Sequence, residues 1–255
     1  MKAFGFLRLR AVRWGLGIAL SGLGGLLYAF PGQRFSLAFT IATGIGGAQL
    51  QRRIDLLEEK AVRDDRFSST DRAFLLDFYS ALATGGKLLI VTRQTGRMMN
   101  HYLSGSGVDY RLEPEIFTSN SKVQRQAEEL RKRAGVGACI DGRRLSSEPF
   151  YMPDASNVDS VFGLYFGSLH VTQQTASTGE CLLRFRAEVP WVWPSYASLR
   201  KKYGDPHAES FPLPNLKAML FGRHHSIFVD NGLGHHLEQL GLAKSFLAFA
   251  EWSDG

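Results

Sequence analysis

The chain has 255 residues, enough for one large domain or for a small anchor plus a medium domain, and its formal charge of +6 would point to nucleic acid if it sat on a folded face. Instead Lys2, Arg8, Arg10, Arg13, Arg34, Arg52 and Arg53 fall within residues 1–53, which hold no acidic residue, so the remaining chain sums to −1. The surplus flanks apolar runs, where it reads as membrane topology, and nucleic acid is excluded as an expected partner.

Trp14 to Gln33 and Phe35 to Gln51 carry no formal charge. Seventeen helical residues rise about 26 Å, the short end of what crosses a hydrocarbon core of about 30 Å. Pro31-Gly32-Gln33-Arg34 between the runs is a turn sequence, since proline cannot continue the first helix's hydrogen bonding. Gly17, Ser21 and Gly25 share one face of the first run, and Ala38, Ala42 and Gly46 share one face of the second. Small residues at intervals of four let two helices approach closely in lipid. The expectation is a transmembrane helical hairpin over 1–53, with the lipid bilayer as partner and both basic flanks on the cytoplasmic side. A cleaved signal peptide and a hairpin buried in a soluble core are the alternatives; the best cut site, after Ala29, has Leu27 where a small residue is wanted.

The stretch 54–72 reads as a charged helix or linker, and 73–255 as a soluble α+β domain with several helices and an antiparallel β-hairpin or small sheet. Ser68-Ser69-Thr70-Asp71 is a capping-box pattern ahead of Ala73-Phe74-Leu75-Leu76, and Gly85-Gly86 is expected to close that helix. Leu88 to Val91 fits a strand, whereas Met98, Met99 and Tyr102 have helical spacing. A further helix runs from Ser121 to Ala134, capped by Asn120 or Ser121 and stopped by Gly135, with a basic face of Lys122, Arg125, Arg131, Lys132 and Arg133.

Beyond Val161 the pattern becomes β. An aromatic run over 162–171 is followed by alternation of Leu183, Phe185, Ala187 and Val189 with Arg184, Arg186 and Glu188, the period-two signature of a strand with one wet face. Trp191-Val192-Trp193-Pro194 ends this hairpin, and Pro206, Pro212 and Pro214 mark a long loop of the kind that is often functional. Ser226 to Val229 is a short strand, and helical segments are expected from His235 through Phe246 to Trp252. Cys139 and Cys181 have no metal spacing or redox-pair motif; they are either packed free thiols or, in an oxidising compartment, a single bridge.

Chemistry-bearing residues concentrate near the end, where His224, His225, Asp230, His235, His236 and Glu238 lie within fifteen residues. Imidazoles and carboxylates at that density bind a divalent metal or supply acid and base near neutral pH. Adjacent histidines diverge on any regular element, so His224, Asp230 and His235 are the expected site residues. No HExxH or comparable frame specifies the metal, so no cofactor is assigned. A second candidate, the Gly105-Ser106-Gly107 turn, exposes backbone amides to an anion but lacks the lysine of a phosphate-binding loop and the context of a hydrolase elbow.

HYLSGSGVDY, then VQRQAEELRKR, then the apolar hairpin, then FVDNGLGHHLEQLGLAKSF resemble, over roughly residues 95–252, the C-terminal modules of antibacterial effectors of the polymorphic-toxin type. The resemblance is in order and flavour and includes no diagnostic catalytic signature. It implies a secreted or contact-delivered protein acting on a neighbouring bacterium's envelope, guarded by an immunity protein or carried by a secretion chaperone. The acidic, tyrosine and histidine cluster of lipid-II-cleaving bacteriocins has no residue-by-residue match, and Trp191-Val192-Trp193-Pro194 stands where the acidic residues would be wanted. The expected function is a membrane-inserting bacterial effector, located in the bacterial inner membrane or a target-cell envelope. The alternatives are a membrane-anchored hydrolase using a His/Asp site and a non-catalytic anchored subunit of an envelope or secretion complex.

Overall fold

The computed structural model describes residues 33–88, 93–135, 139–153, 166–213 and 215–254. They form two compact units, one from the segment ending at Leu88 together with Trp193–Leu242, the other from Leu89–Val192 together with Ala243–Gly255.

The fold is α+β, but the expected membrane hairpin is corrected. Its first arm, with Gly17, Ser21 and Gly25, lies outside the described residues. Its second arm is not one helix: Gln33–Thr43 ends, and Gly47–Val62 begins after a break in which Gly44 and Gly46 take left-handed φ values of 76° and 75°. An 11-residue helix rises only about 16 Å, and among the described residues no helix is long and apolar enough to cross a membrane. The small-residue face is dispersed accordingly. Ala38 packs on Ala81 of the Ser69–Leu88 helix, with Leu37 and Ile41 beside it. Ala42 is exposed, and Gly46 caps the following helix from outside the first one. A Cβ on Gly44 would fall 2.5 Å from Oδ1 of Asn215, so glycine there permits a close approach as well as the turn.

In the first unit, Gly47–Val62 is amphipathic, burying Leu50, Ile54, Leu57, Glu58 and Ala61 at helical intervals. It packs against the strand Ile227–Asp230 and the helices Tyr196–Tyr203 and Asn231–Gln239. Gln51 Oε1 accepts the backbone N–H of Phe228 at 2.7 Å and its Nε2 donates to Phe228 O at 3.0 Å, so a side chain serves that residue as a neighbouring strand would. The capping box forms: Ser68 Oγ accepts the Asp71 N–H and Asp71 Oδ2 accepts the Ser68 N–H, both at 3.1 Å. The helix it starts continues through Gly85-Gly86 to Leu88. The proline-marked loop holds regular structure, the helix Tyr196–Tyr203 and the strand Ser210–Leu213, which pairs antiparallel with Ile227–Asp230.

The second unit is a sheet in the order Tyr110–Arg111, Phe246–Asp254, Cys181–Trp191, Phe166–Thr175, Arg144–Ser146, with Phe150–Tyr151 also on Phe166–Thr175. Among the described residues of this sheet, the pairing of Tyr110–Arg111 with Phe246–Asp254 is parallel and the others are antiparallel. Phe246–Asp254 is thus a strand, a correction to the helical expectation. Leu169, Val171, Phe185, Ala187, Val189, Ala248 and Ala250 form the buried face, on which the Ser121–Ala134 helix sets Val123, Ala127, Leu130 and Ala134. Asn120 caps that helix by accepting from Lys122 N and Val123 N, and buried Gln173 closes its other end by donating to Ala134 O at 2.8 Å. The helix Arg93–Leu103 buries Met98, Met99 and Tyr102 as their spacing predicts. Cys139 and Cys181 are bridged.

Candidate functional site

The first unit gathers Glu58, His207 and Asp230 so that one ligand atom from each lies within 4.8 Å of the others. Three local features produce this. Glu58 occupies the apolar stripe of its helix, four residues after Ile54, so the carboxylate is carried inward with the core residues and is only 7 % exposed. Asp230 ends its strand and begins the next helix, where aspartate ordinarily caps; here the side chain makes no capping bond and is left for other work. His207 precedes the partner strand, in a turn where Asp205 Oδ1 accepts the His207 N–H at 2.9 Å.

The contacts are specific. His207 Nδ1 is hydrogen-bonded to Asp230 Oδ2. The backbone N–H of Asp230 donates to Glu58 Oε1 at 2.8 Å. Asn231 N and Nδ2 both donate to Glu209, at 2.9 Å and 3.2 Å, pinning the strand pair beside the cluster. The hydroxyls of Tyr79 and Tyr196 are buried and have no hydrogen-bond partner among the described residues.

Burial pushes the Glu58 carboxyl up to about 7, with the charges of Asp230 and Asp55 adding to it against the Asp230 N–H and His207. Burial likewise raises Asp230, partly offset by His207. Burial would lower His207, but the bond to Asp230 and the surrounding carboxylates raise it. Both phenols are raised, by burial first and then by the negative charges of Glu58 and Asp230, which places their hydroxyls in the field of the cluster. Two carboxylates this close and this buried are poorly compensated by one imidazole, and a divalent cation is the charge that would balance them.

Of the expected residues, Asp230 alone enters this cluster. His224 is exposed in the short turn Arg223–His225 and lies ring against ring with His225, centroids 4.1 Å apart. His235 is half-buried on the Asn231–Gln239 helix. Its neighbour His236 is buried, packed on Phe67 and bonded through Nδ1 to Gln239 Oε1 at 2.6 Å; it lines a cleft with Arg66, Arg72 and Gln239. The Gly105-Ser106-Gly107 turn is closed by His101, whose Nε2 lies 2.7 Å from Val108 O. The chain matches no protein-family model, no curated protein and no solved structure.

Proposed function

We propose that the chain is a divalent-cation-dependent hydrolase whose centre is Glu58, His207 and Asp230. The observation that carries this reading is the convergence of three ligand atoms within 4.8 Å, two of them on buried carboxylates. Two carboxylates and one imidazole suit zinc, manganese or iron, and three protein ligands leave a coordination position for water, as catalytic sites require. His207, whose side chain is 43 % exposed, would be the ligand nearest solvent, with Glu58 and Asp230 buried behind it. When bound, such a cation would supply a water of pKa roughly 7 rather than about 15.7 as nucleophile, and the Tyr79 and Tyr196 hydroxyls, which feel the charges of Glu58 and Asp230, would be the donors available to an oxyanion.

The substrate class comes from the resemblance: an ester, amide or phosphate linkage of a bacterial envelope, with an immunity protein as the natural antagonist. The Cys139–Cys181 bridge supports work in an oxidising compartment.

The test uses the full chain, stripped with chelator and reloaded with zinc or manganese. One equivalent of metal should bind. Products should appear by mass spectrometry when the loaded protein meets sacculi, lipid-linked cell-wall precursors or phospholipid vesicles. Glu58→Ala, His207→Ala and Asp230→Ala should each lose metal or rate by about a hundredfold, while His224→Ala and His235→Ala keep both. Failure to bind metal at micromolar concentration, together with no product from any fraction, overturns the proposal.

A further inference from the structure

The sheet face opposite the core of the second unit carries a band of polar side chains that are bonded in a definite order. Register sets Ser146 opposite His170, His170 opposite Arg186, and Ser168 opposite Glu188. Ser146 Oγ lies 2.7 Å from His170 Nδ1. The other ring nitrogen, Nε2, lies 3.2 Å from Glu188 Oε2 and 3.1 Å from Ser168 Oγ. Glu188 is itself held, because Arg186 Nε donates to its Oε1 at 2.6 Å while Arg186 Nη1 donates to Glu251 at 3.1 Å.

We propose that Ser146, His170 and Glu188 form a second reactive centre, a nucleophile, base and orienting carboxylate that hydrolyses carboxylic esters independently of the metal cluster. A carboxylate at Nε2 selects the tautomer protonated there, so Nδ1 is left to accept the Ser146 O–H. Burial and the charge of Arg144 hold His170 below its usual value, which keeps it a neutral base at pH 7. Ser146 ends an edge strand and is exposed, whereas His170 and Glu188 are 14 % and 21 % exposed, so the nucleophile is reachable and its base is fixed. Arg144, on the same face two residues earlier, supplies positive charge for the oxyanion.

In the reaction Ser146 Oγ bonds to the ester carbonyl carbon and its proton passes to His170 Nδ1. The carbon–alkoxide bond breaks and the alcohol leaves with that proton. Water, deprotonated by the same nitrogen, then cleaves the acyl-serine to release the acid and restore the hydroxyl. Glu188 acts through His170 and is a positioning residue.

The full chain with its disulfide intact is treated with a fluorophosphonate probe, and the labelled peptide is mapped. Label is expected on Ser146, absent in Ser146→Ala, unchanged in Ser147→Ala and unchanged by chelator. His170→Gln should label at least a hundredfold more slowly. Glu188→Gln should lose labelling that Glu188→Asp partly restores, a rescue that a packing role would not produce. Hydrolysis of p-nitrophenyl butyrate should follow the same order. No label on Ser146, or equal labelling in folded His170→Gln or in urea-unfolded chain, overturns the proposal and leaves a cross-strand polar ladder. If His170→Gln does not fold by circular dichroism, the Gln and Asp variants of Glu188 decide.

Discussion

Glu58 Oε1 accepts the backbone N–H of Asp230 at 2.8 Å, closing a contact between residues 172 positions apart. The bond places one buried carboxylate against the backbone of another, and the cost of that juxtaposition depends on pH. Glu58 is raised from 4.5 to about 7, so its contribution to stability is present in full below about pH 4.5 and is lost as pH rises through 7. The raised values of Asp230 and His207 act in the same direction. Chelated protein should therefore lose stability between pH 4.5 and 7, by about 3 kcal/mol from Glu58 if the whole shift is expressed. Glu58→Gln, which keeps a carbonyl oxygen for the Asp230 N–H, should flatten the dependence and stabilise chelated protein at pH 8. Urea midpoints of both proteins across pH 4–8 check this; parallel curves would refute it.

Asp71 behaves in the opposite sense. Burial alone would raise it, but Lys60 Nζ at 2.8 Å and Ser68 outweigh burial, with Arg53 Nη2 also bonded at 2.5 Å, and hold the carboxyl at about 2. Its stabilisation is present above the unfolded value of 3.8 and disappears as pH falls through 2. Asp71→Asn should cost about 2 kcal/mol at pH 7 and little at pH 2, read as the difference in urea midpoint between the two proteins.

What was legible in the sequence was local. The capping box at Ser68, the Asn120 cap, the helical spacing of Met98, Met99 and Tyr102 and the alternation through Leu183 to Val189 each depend on residues a few positions apart, and each is present. Phe246–Asp254 escaped because its outward positions are not simply polar: Phe249 is outward yet covered by the Arg186 guanidinium, 4.0 Å from the ring centroid. The apolar stretch 35–51 carried its own break in Gly44 and Gly46, but an absence of charge does not separate a short packed helix from a spanning one. Glu58 left one trace, a carboxylate at the spacing of Ile54 and Leu57 on an otherwise apolar stripe. His207 left only its place in a proline-marked loop, and nothing local could join 58, 207 and 230.

The Cys139–Cys181 bridge closes a loop with a sequence separation of 42. By chain entropy such a crosslink stabilises by about 4 kcal/mol, roughly a thousandfold in the opening equilibrium. Reduction should speed amide exchange in the Cys181–Trp191 strand by up to that factor while leaving the Gly47–Val62 helix of the first unit unchanged. Exchange mass spectrometry with and without dithiothreitol distinguishes the two regions, and equal protection in the strand would count against the bridge as a source of stability.

Gly232 separates the cost of a methyl group from the benefit it gives a helix. Replacing glycine by alanine inside a helix ordinarily gains up to about 1 kcal/mol. At Gly232 the new Cβ would fall 2.6 Å from Cδ1 and Cε1 of Tyr196, a ring whose centroid is 5.9 Å from that of His207. At Gly47, in the first turn of its helix, the nearest atom to the new Cβ is Ile227 Cγ1 at 3.7 Å, an ordinary contact. Gly232→Ala should therefore lose about 1–3 kcal/mol through overpacking, and because Tyr196 must move it should also slow metal-dependent turnover. Gly47→Ala should be neutral or stabilising with turnover unchanged. Urea unfolding and turnover of the two variants side by side check the pair; equal effects would mean that the Tyr196 ring is not fixed by the Asn231–Gln239 helix.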